Sequence, residues 1–152
     1  MTFSPNETTT RAMIVTILHR MEGEPRAWGY AFSDVATSAY YADAVAWAAE
    51  QRIVNGTGSM TFSPDAPITR EQLAAILYRY AQFKDYDVSA SNSLTRYTDA
   101  AQISSYAAAA MRWANAEGLV TGSTGRKLNP QGNASRAEVA TILMRFCENM
   151  AG

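Results

Sequence analysis

This chain repeats itself. Phe3-Ser4-Pro5, Phe62-Ser63-Pro64 and Leu128-Asn129-Pro130 are each followed, five residues after the proline, by a hydroxyl residue, Thr10, Thr69 or Ser135. An arginine comes next each time: Arg11, Arg70 and Arg136. A second block occurs twice. Phe32-Ser33-Asp34 pairs with Tyr97-Thr98-Asp99, Tyr40 with Tyr106, Trp47 with Trp113, Ile53-Val54 with Leu119-Val120, and Gly56 with Gly122. A fold built from such a chain must use one supersecondary unit several times, each copy burying its apolar face against a neighbour.

The period inside each block fixes what that unit is. Ile14/Ile17/Leu18/Met21, Leu73/Ile76/Leu77/Tyr80 and Val139/Ile142/Leu143/Phe146 run i, i+3, i+4, i+7, one face of an amphipathic helix. The blocks 40–51 and 106–117 place Tyr, Ala, Trp and Ala at helical spacing, with alanines that permit close packing. Gly56, Gly58, Gly122 and Gly125, followed by Pro64 and Pro130, interrupt this periodicity and mark structured loops. The unit is helix, loop, helix, and the fold class is all-α with about five principal helices. Residues 1–22 carry the second half of a unit, 32–83 and 97–149 carry complete units, and 23–31 and 84–96 are linkers. The first unit lacks its first helix, and Pro25 and Gly29 break up the stretch that would have to replace it. The apolar surface so left open calls for a second copy of the chain, as a homo-oligomer, or for an upstream continuation.

The second helix of each unit opens with distinctive chemistry. Thr69-Arg70-Glu71-Gln72 and Ser135-Arg136-Ala137-Glu138 read as capping boxes, in which the hydroxyl accepts from an orphan N–H and the Gln or Glu reaches back. The intervening arginine adds positive charge to the positive end of a helix dipole, where an acid would suit the helix better. Placed there three times, it points to an anionic partner.

Composition excludes other functions. With 47% hydrophobic and 18% charged residues the 152-residue chain has a sizeable core, and 13 basic against 14 acidic side chains, evenly spread, argue against a nucleic-acid partner. No apolar run approaches the roughly 18 residues of a membrane span, so no membrane insertion is expected. Residues 1–5 carry neither the charged nor the apolar part of a secretory signal, so an exported protein would hold its signal outside this fragment. With one histidine, His19, and one cysteine, Cys147, no catalytic triad, metal cluster or phosphate loop can be assembled, which predicts no enzyme activity and no cofactor. Cys147, at a helical offset from Leu143, reads as a small buried hydrophobe. Trp47 and Trp113 read as packing anchors, and Tyr40 and Tyr106 as half-buried core residues.

In order along the middle unit, Phe32-Ser33-Asp34-Val35, Tyr40-Tyr41, Ala44-Val45, Arg52-Ile53-Val54-Asn55-Gly56, Phe62-Ser63-Pro64 and Thr69-Arg70-Glu71-Gln72 resemble the S-layer homology motif. The resemblance implies a pseudo-threefold helical assembly of three motifs. It also implies grooves that hold an anionic cell-wall polysaccharide, the pyruvylated secondary cell wall polymer, on the outside of a bacterial envelope. The groove residues it implies are Arg11, Arg70, Arg136, Gly56, Gly122, Asp34 and Asp99. Read from turn chemistry alone, Asp34 and Asp99 serve more simply as turn or cap acceptors. A helical-repeat adaptor for another protein is the alternative, and it would present a broad exposed apolar patch instead of a narrow polar groove.

Overall fold

The structure is a computed structural model and describes residues 7–27, 32–55, 60–122 and 126–151. It is all-α. Five helices appear among the described residues: α1 (Arg11–Met21), α2 (Ala42–Glu50), α3 (Arg70–Phe83), α4 (Ala108–Ala116) and α5 (Arg136–Phe146). Short 3-10 turns at Ala100–Gln102 and Ser105–Ala107 precede α4, and a π-type turn, Cys147–Ala151, prolongs α5. No β-strand forms among the described residues. Three isolated bridges join Thr8 to Ser135, Thr10 to Pro67 and Thr69 to Asn133.

Helices α1, α3 and α5 start at hydroxyl residues. Thr10 accepts from the N–H of Met13, while Thr69/Gln72 and Ser135/Glu138 form reciprocal capping boxes at α3 and α5. Helices α1 to α4 are followed by left-handed residues. Gly118, at φ +74°, follows α4 and lets the Leu119 N–H return to the Ala114 carbonyl at 2.8 Å. Arg52, at φ +61°, does the same after α2, with the Ile53 N–H on the Ala48 carbonyl at 2.8 Å. A non-glycine residue tolerates that conformation here because Ile53 is drawn fully into the core and fixes the turn.

The chain divides into two compact units, one of Thr9–Ile68 and one of Met1–Thr8 with Thr69–Gly152. In the first, α1 packs on α2. Ile14, Val15, Leu18, Trp47, Ile53, Phe62 and Ile68 are buried, and His19 lies against Trp47 with ring centroids 5.4 Å apart. Met21, expected on the inner face of α1, is exposed; Val15 and His19 take the inward positions instead. In the second unit α3 packs on α4, and an aromatic cluster joins Tyr78, Trp113, Phe146 and Tyr80 at centroid distances of 5.4, 6.3 and 5.9 Å. Trp47 and Trp113 are the expected anchors, each contributing about 1.5–3 kcal/mol or more on burial.

Two expectations need correction. Tyr40 and Tyr106 are 70% and 52% exposed. Both lie ahead of the helices they were read into, Tyr40 in a turn and Tyr106 in a 3-10 turn, so the 3.6-residue period does not govern where they point. Cys147 is only half-buried, because the chain leaves α-helical register just after Phe146, which takes the inward place.

Candidate functional site

The three arginines share one position, the first residue of α1, α3 and α5, yet their surroundings differ. Each of these helix starts is seated by a loop distant in sequence. The N–H groups of Arg11 and Ala12 donate to the carbonyls of Ala66 and Pro64, at 2.9 and 3.0 Å. Those of Arg70 and Glu71 donate to Gly132 and Pro130, at 3.0 and 2.9 Å, and that of Arg136 to Glu7 at 2.8 Å. Orphan N–H groups of the first turn thus find carbonyls in the proline loops.

Each proline loop is in turn held by an aspartate. Asp34 accepts from the N–H groups of Phe62 and Ser63, at 2.9 and 2.8 Å, and Asp99 from those of Leu128 and Asn129, at 2.9 and 2.8 Å. Ser63 and Asn129 both have positive φ, +60° and +50°, and the charge-assisted bonds offset the strain of that conformation. Burial acts to raise the carboxyl pKa of Asp99, but the bonds from Leu128 and Asn129, with Lys127 nearby, outweigh it and hold the group below its ordinary value. Asp34 is depressed in the same way, burial opposing and the Phe62 and Ser63 N–H groups prevailing, with help from Arg11. In both aspartates the carboxylate oxygens are directed at the backbone of the proline loop.

Arg11 is 5% exposed, donates from Nε to the Phe62 carbonyl at 2.9 Å, and lies over the Phe62 ring. Arg70 meets Glu138 side-on, Nε to Oε2 at 2.8 Å and Nη2 to Oε1 at 2.7 Å, and turns Nη1 toward the Asn129 carbonyl at 3.5 Å. The end-on edge, between Nη1 and Nη2, keeps further N–H donors. Arg136 pairs with Glu7 at 3.4 Å, and its buried Nε has no hydrogen-bond partner among the described residues.

Around the Arg70–Glu138 pair opens a groove of about 500 Å³ within the second unit. Arg70, Glu138, Arg145, Thr121, Gly122 and Asn129 supply its polar wall, and Leu128 and Ile142 are among its apolar residues. Gly122 has φ +85°, and a Cβ there would come within 2.8 Å of the Tyr97 ring. That ring cannot give way easily, since the Tyr97 hydroxyl donates to the Thr121 carbonyl at 3.2 Å and accepts from Asn115 at 3.0 Å. Arg145 donates to the Gly118 carbonyl at 3.1 Å, so two guanidiniums and one carboxylate set the charge of the wall.

Of the residues singled out from the sequence, Arg70 and Gly122 come together in this groove. Arg11 and Asp34 lie in the other unit, Asp99 supports the groove from behind the Leu128–Asn129 loop, and Gly56 lies outside the described residues. Glu138 was legible only as a cap, and Arg145 and Thr121 carried no signal of their own. Glu71, beside the capping residues, is 3% exposed and carries no site signal in the sequence. Its carboxylate accepts from the Ser104 N–H and hydroxyl at 3.0 and 2.6 Å, from Tyr106 at 3.3 Å and from Gln131 at 3.1 Å, tying the loop beside Arg70 to the helix start.

Among the described residues no helix is long and apolar enough to cross a membrane, and no group of His, Cys, Asp and Glu is arranged to hold a metal ion. Compared with known families, residues 31–74 and 96–140, more than half of the chain, match the S-layer homology domain. The chain is 32% identical to an amylopullulanase of Thermoanaerobacterium thermosulfurigenes over 96% of its own length, and 32% identical to an endoglucanase of Bacillus sp. (strain KSM-635) over 93%. It is 28% identical to the surface-layer 125 kDa protein of Lysinibacillus sphaericus over 97%. It spans 8%, 15% and 12% of those proteins, respectively.

Proposed function

From a chain that belongs to the S-layer homology domain family, we infer a non-catalytic module that anchors a surface protein to a bacterial cell wall by binding an anionic, pyruvylated secondary polysaccharide. The observation that carries this reading is the groove, where Arg70, Arg145 and a glycine turn converge on a space of about 500 Å³, large enough for a sugar residue or two. A pyruvyl carboxylate there meets the end-on edge of Arg70. The apolar floor suits the methyl group and the sugar face, and Thr121, Thr141 and Asn129 offer hydroxyl and carbonyl partners. Arg136, with donor capacity to spare, is a second candidate contact, whereas Arg11, Asp34 and Asp99 serve the loops that seat the helices. Such a stretch recurs in an amylopullulanase, an endoglucanase and a surface-layer protein, which accords with an anchoring role shared by differently named polypeptides. Two guanidiniums and a carboxylate set beside an apolar floor suit a charged saccharide better than the protein-binding adaptor, which would need a broad apolar face.

Calorimetric titration with purified polymer tests the reading, run with native polymer and with polymer stripped of its pyruvyl ketals by mild acid. Native polymer is expected to bind and stripped polymer to bind at least about tenfold more weakly, as loss of a charge-assisted bond implies. Arg70→Lys should weaken binding of native polymer while leaving the helical circular dichroism unchanged, because a lysine keeps the charge and loses the planar donor edge. Equal binding of the two polymers would reject the carboxylate-dependent mechanism.

A further inference from the structure

Glu138 performs two tasks, and only one of them needs a charge. It caps α5, its Oε1 accepting from the Ser135 N–H at 3.3 Å while Ser135 Oγ accepts from the Glu138 N–H at 3.1 Å. At the equivalent place in α3 a neutral side chain does the same work: Gln72 Oε1 accepts from the Thr69 N–H at 3.0 Å. In α1 the position is Met13, and the helix still starts on the Thr10 hydroxyl. Capping therefore does not require a carboxylate at 138, although the positive end of the helix dipole favours one. The charge has a further use in the groove, where both oxygens of Glu138 occupy the side-on edge of Arg70 at 2.8 and 2.7 Å.

That placement has a consequence for any anion entering the same space. Glu138 and Arg70 both line the groove, with side chains 38% and 22% exposed, so a bound anion is close to both. The side-on edge of the guanidinium is already taken, and of the charges on the wall, Arg70 and Arg145 against Glu138, only one positive charge is left uncompensated. Burial acts to raise the Glu138 carboxyl pKa, but the bonds from Arg70 and Ser135 prevail and keep it below its ordinary value, so the opposing charge persists at neutral pH.

We propose that Glu138 is a specificity-determining residue of this groove, an internal carboxylate that claims the side-on edge of Arg70 and limits the affinity of the site for anionic polysaccharide. The proposal rests on the anchoring reading above and goes beyond it, since it predicts that removing a groove residue strengthens binding. A ligand carboxylate must use the end-on edge alone and approach a like charge. Replacing Glu138 by glutamine removes the repulsion and frees the Nε donor of Arg70, while the one remaining oxygen keeps the cap, as in Gln72, and still faces Nη2.

The experiment is titration of Glu138→Gln with pyruvylated secondary cell wall polysaccharide purified from a Gram-positive wall, and with the same polymer after its pyruvyl ketals are removed. Asp43→Asn, which neutralises an exposed carboxylate in the other unit, controls for net charge. Glu138→Gln should bind the pyruvylated polymer at least about fivefold tighter than the parent at low salt, with the gain shrinking as salt is raised. Binding of the stripped polymer should not change, and Asp43→Asn should match the parent. Thermal unfolding by circular dichroism checks that the variant is folded. Equal or weaker binding by Glu138→Gln, with the parent still binding, overturns the proposal alone, and so does an equal gain for both polymers. Failure of the parent to bind either polymer overturns the anchoring reading, and this proposal with it.

Discussion

Replacing Asp99 by alanine isolates the contribution of the loop that shapes the groove. Asp99 is 6% exposed and its two oxygens accept from the Leu128 and Asn129 N–H groups at 2.9 and 2.8 Å. Hydrogen bonds to a charged group contribute about 1.5–3 kcal/mol each, and a buried N–H left without an acceptor costs about 1–3 kcal/mol. Leu128 is buried, so its N–H has little access to water, whereas Asn129 is exposed and its N–H can be rehydrated. The net loss is therefore about 2–4 kcal/mol rather than the sum of both bonds. Asn129 also sits at φ +50°, a conformation the lost bonds no longer hold. Urea unfolding followed by circular dichroism measures the change. Asp99→Asn, which keeps one acceptor oxygen, should fall about midway between the parent and Asp99→Ala, and Asp34→Ala, at an exposed position, should cost less than Asp99→Ala. An Asp99→Ala protein within about 0.5 kcal/mol of the parent, the range of ordinary surface substitutions, would refute the view that this carboxylate organises the loop.

Gly122→Ala should destabilise by about 2–4 kcal/mol, combining the penalty of a side chain at φ +85° with the contact against the Tyr97 ring, and should weaken polymer binding; wild-type stability in urea would contradict the geometry. Asp34, Asp99 and Glu138 all have carboxyl groups depressed in the folded state. Their stabilisation is complete above the unfolded carboxylate range near about pH 4 and is lost as pH falls through the lower folded values. Stability measured at pH 6 and pH 3 should therefore drop, by less in Asp99→Asn, and an equal drop in parent and variant would remove Asp99 from that account.

Local periodicity made the helices legible. The i, i+3, i+4, i+7 runs and the hydroxyl caps located the starts of α1, α3 and α5, because capping and amphipathicity act within a few positions. The same local signals could not say which loop seats which helix. Pro64 and Ala66 serve α1, and Pro130 and Gly132 serve α3, each pairing a helix start with a loop more than fifty residues further along the chain. Glu138 shows the same limit from the site's side: its cap partner is three residues away and visible, whereas its ion-pair partner, Arg70, is 68 residues away. Tyr40 and Tyr106 were misplaced because a helical period was extended into turns that precede the helices.

Attachment of the module to a wall through its secondary polysaccharide can be measured by co-sedimentation with purified Gram-positive sacculi before and after chemical extraction of that polymer. The chain should pellet with intact sacculi, stay in the supernatant once the polymer is gone, and be released by added free polymer. Pelleting that is unaffected by extraction would contradict attachment through the polymer, and would place the binding determinant in the peptidoglycan instead.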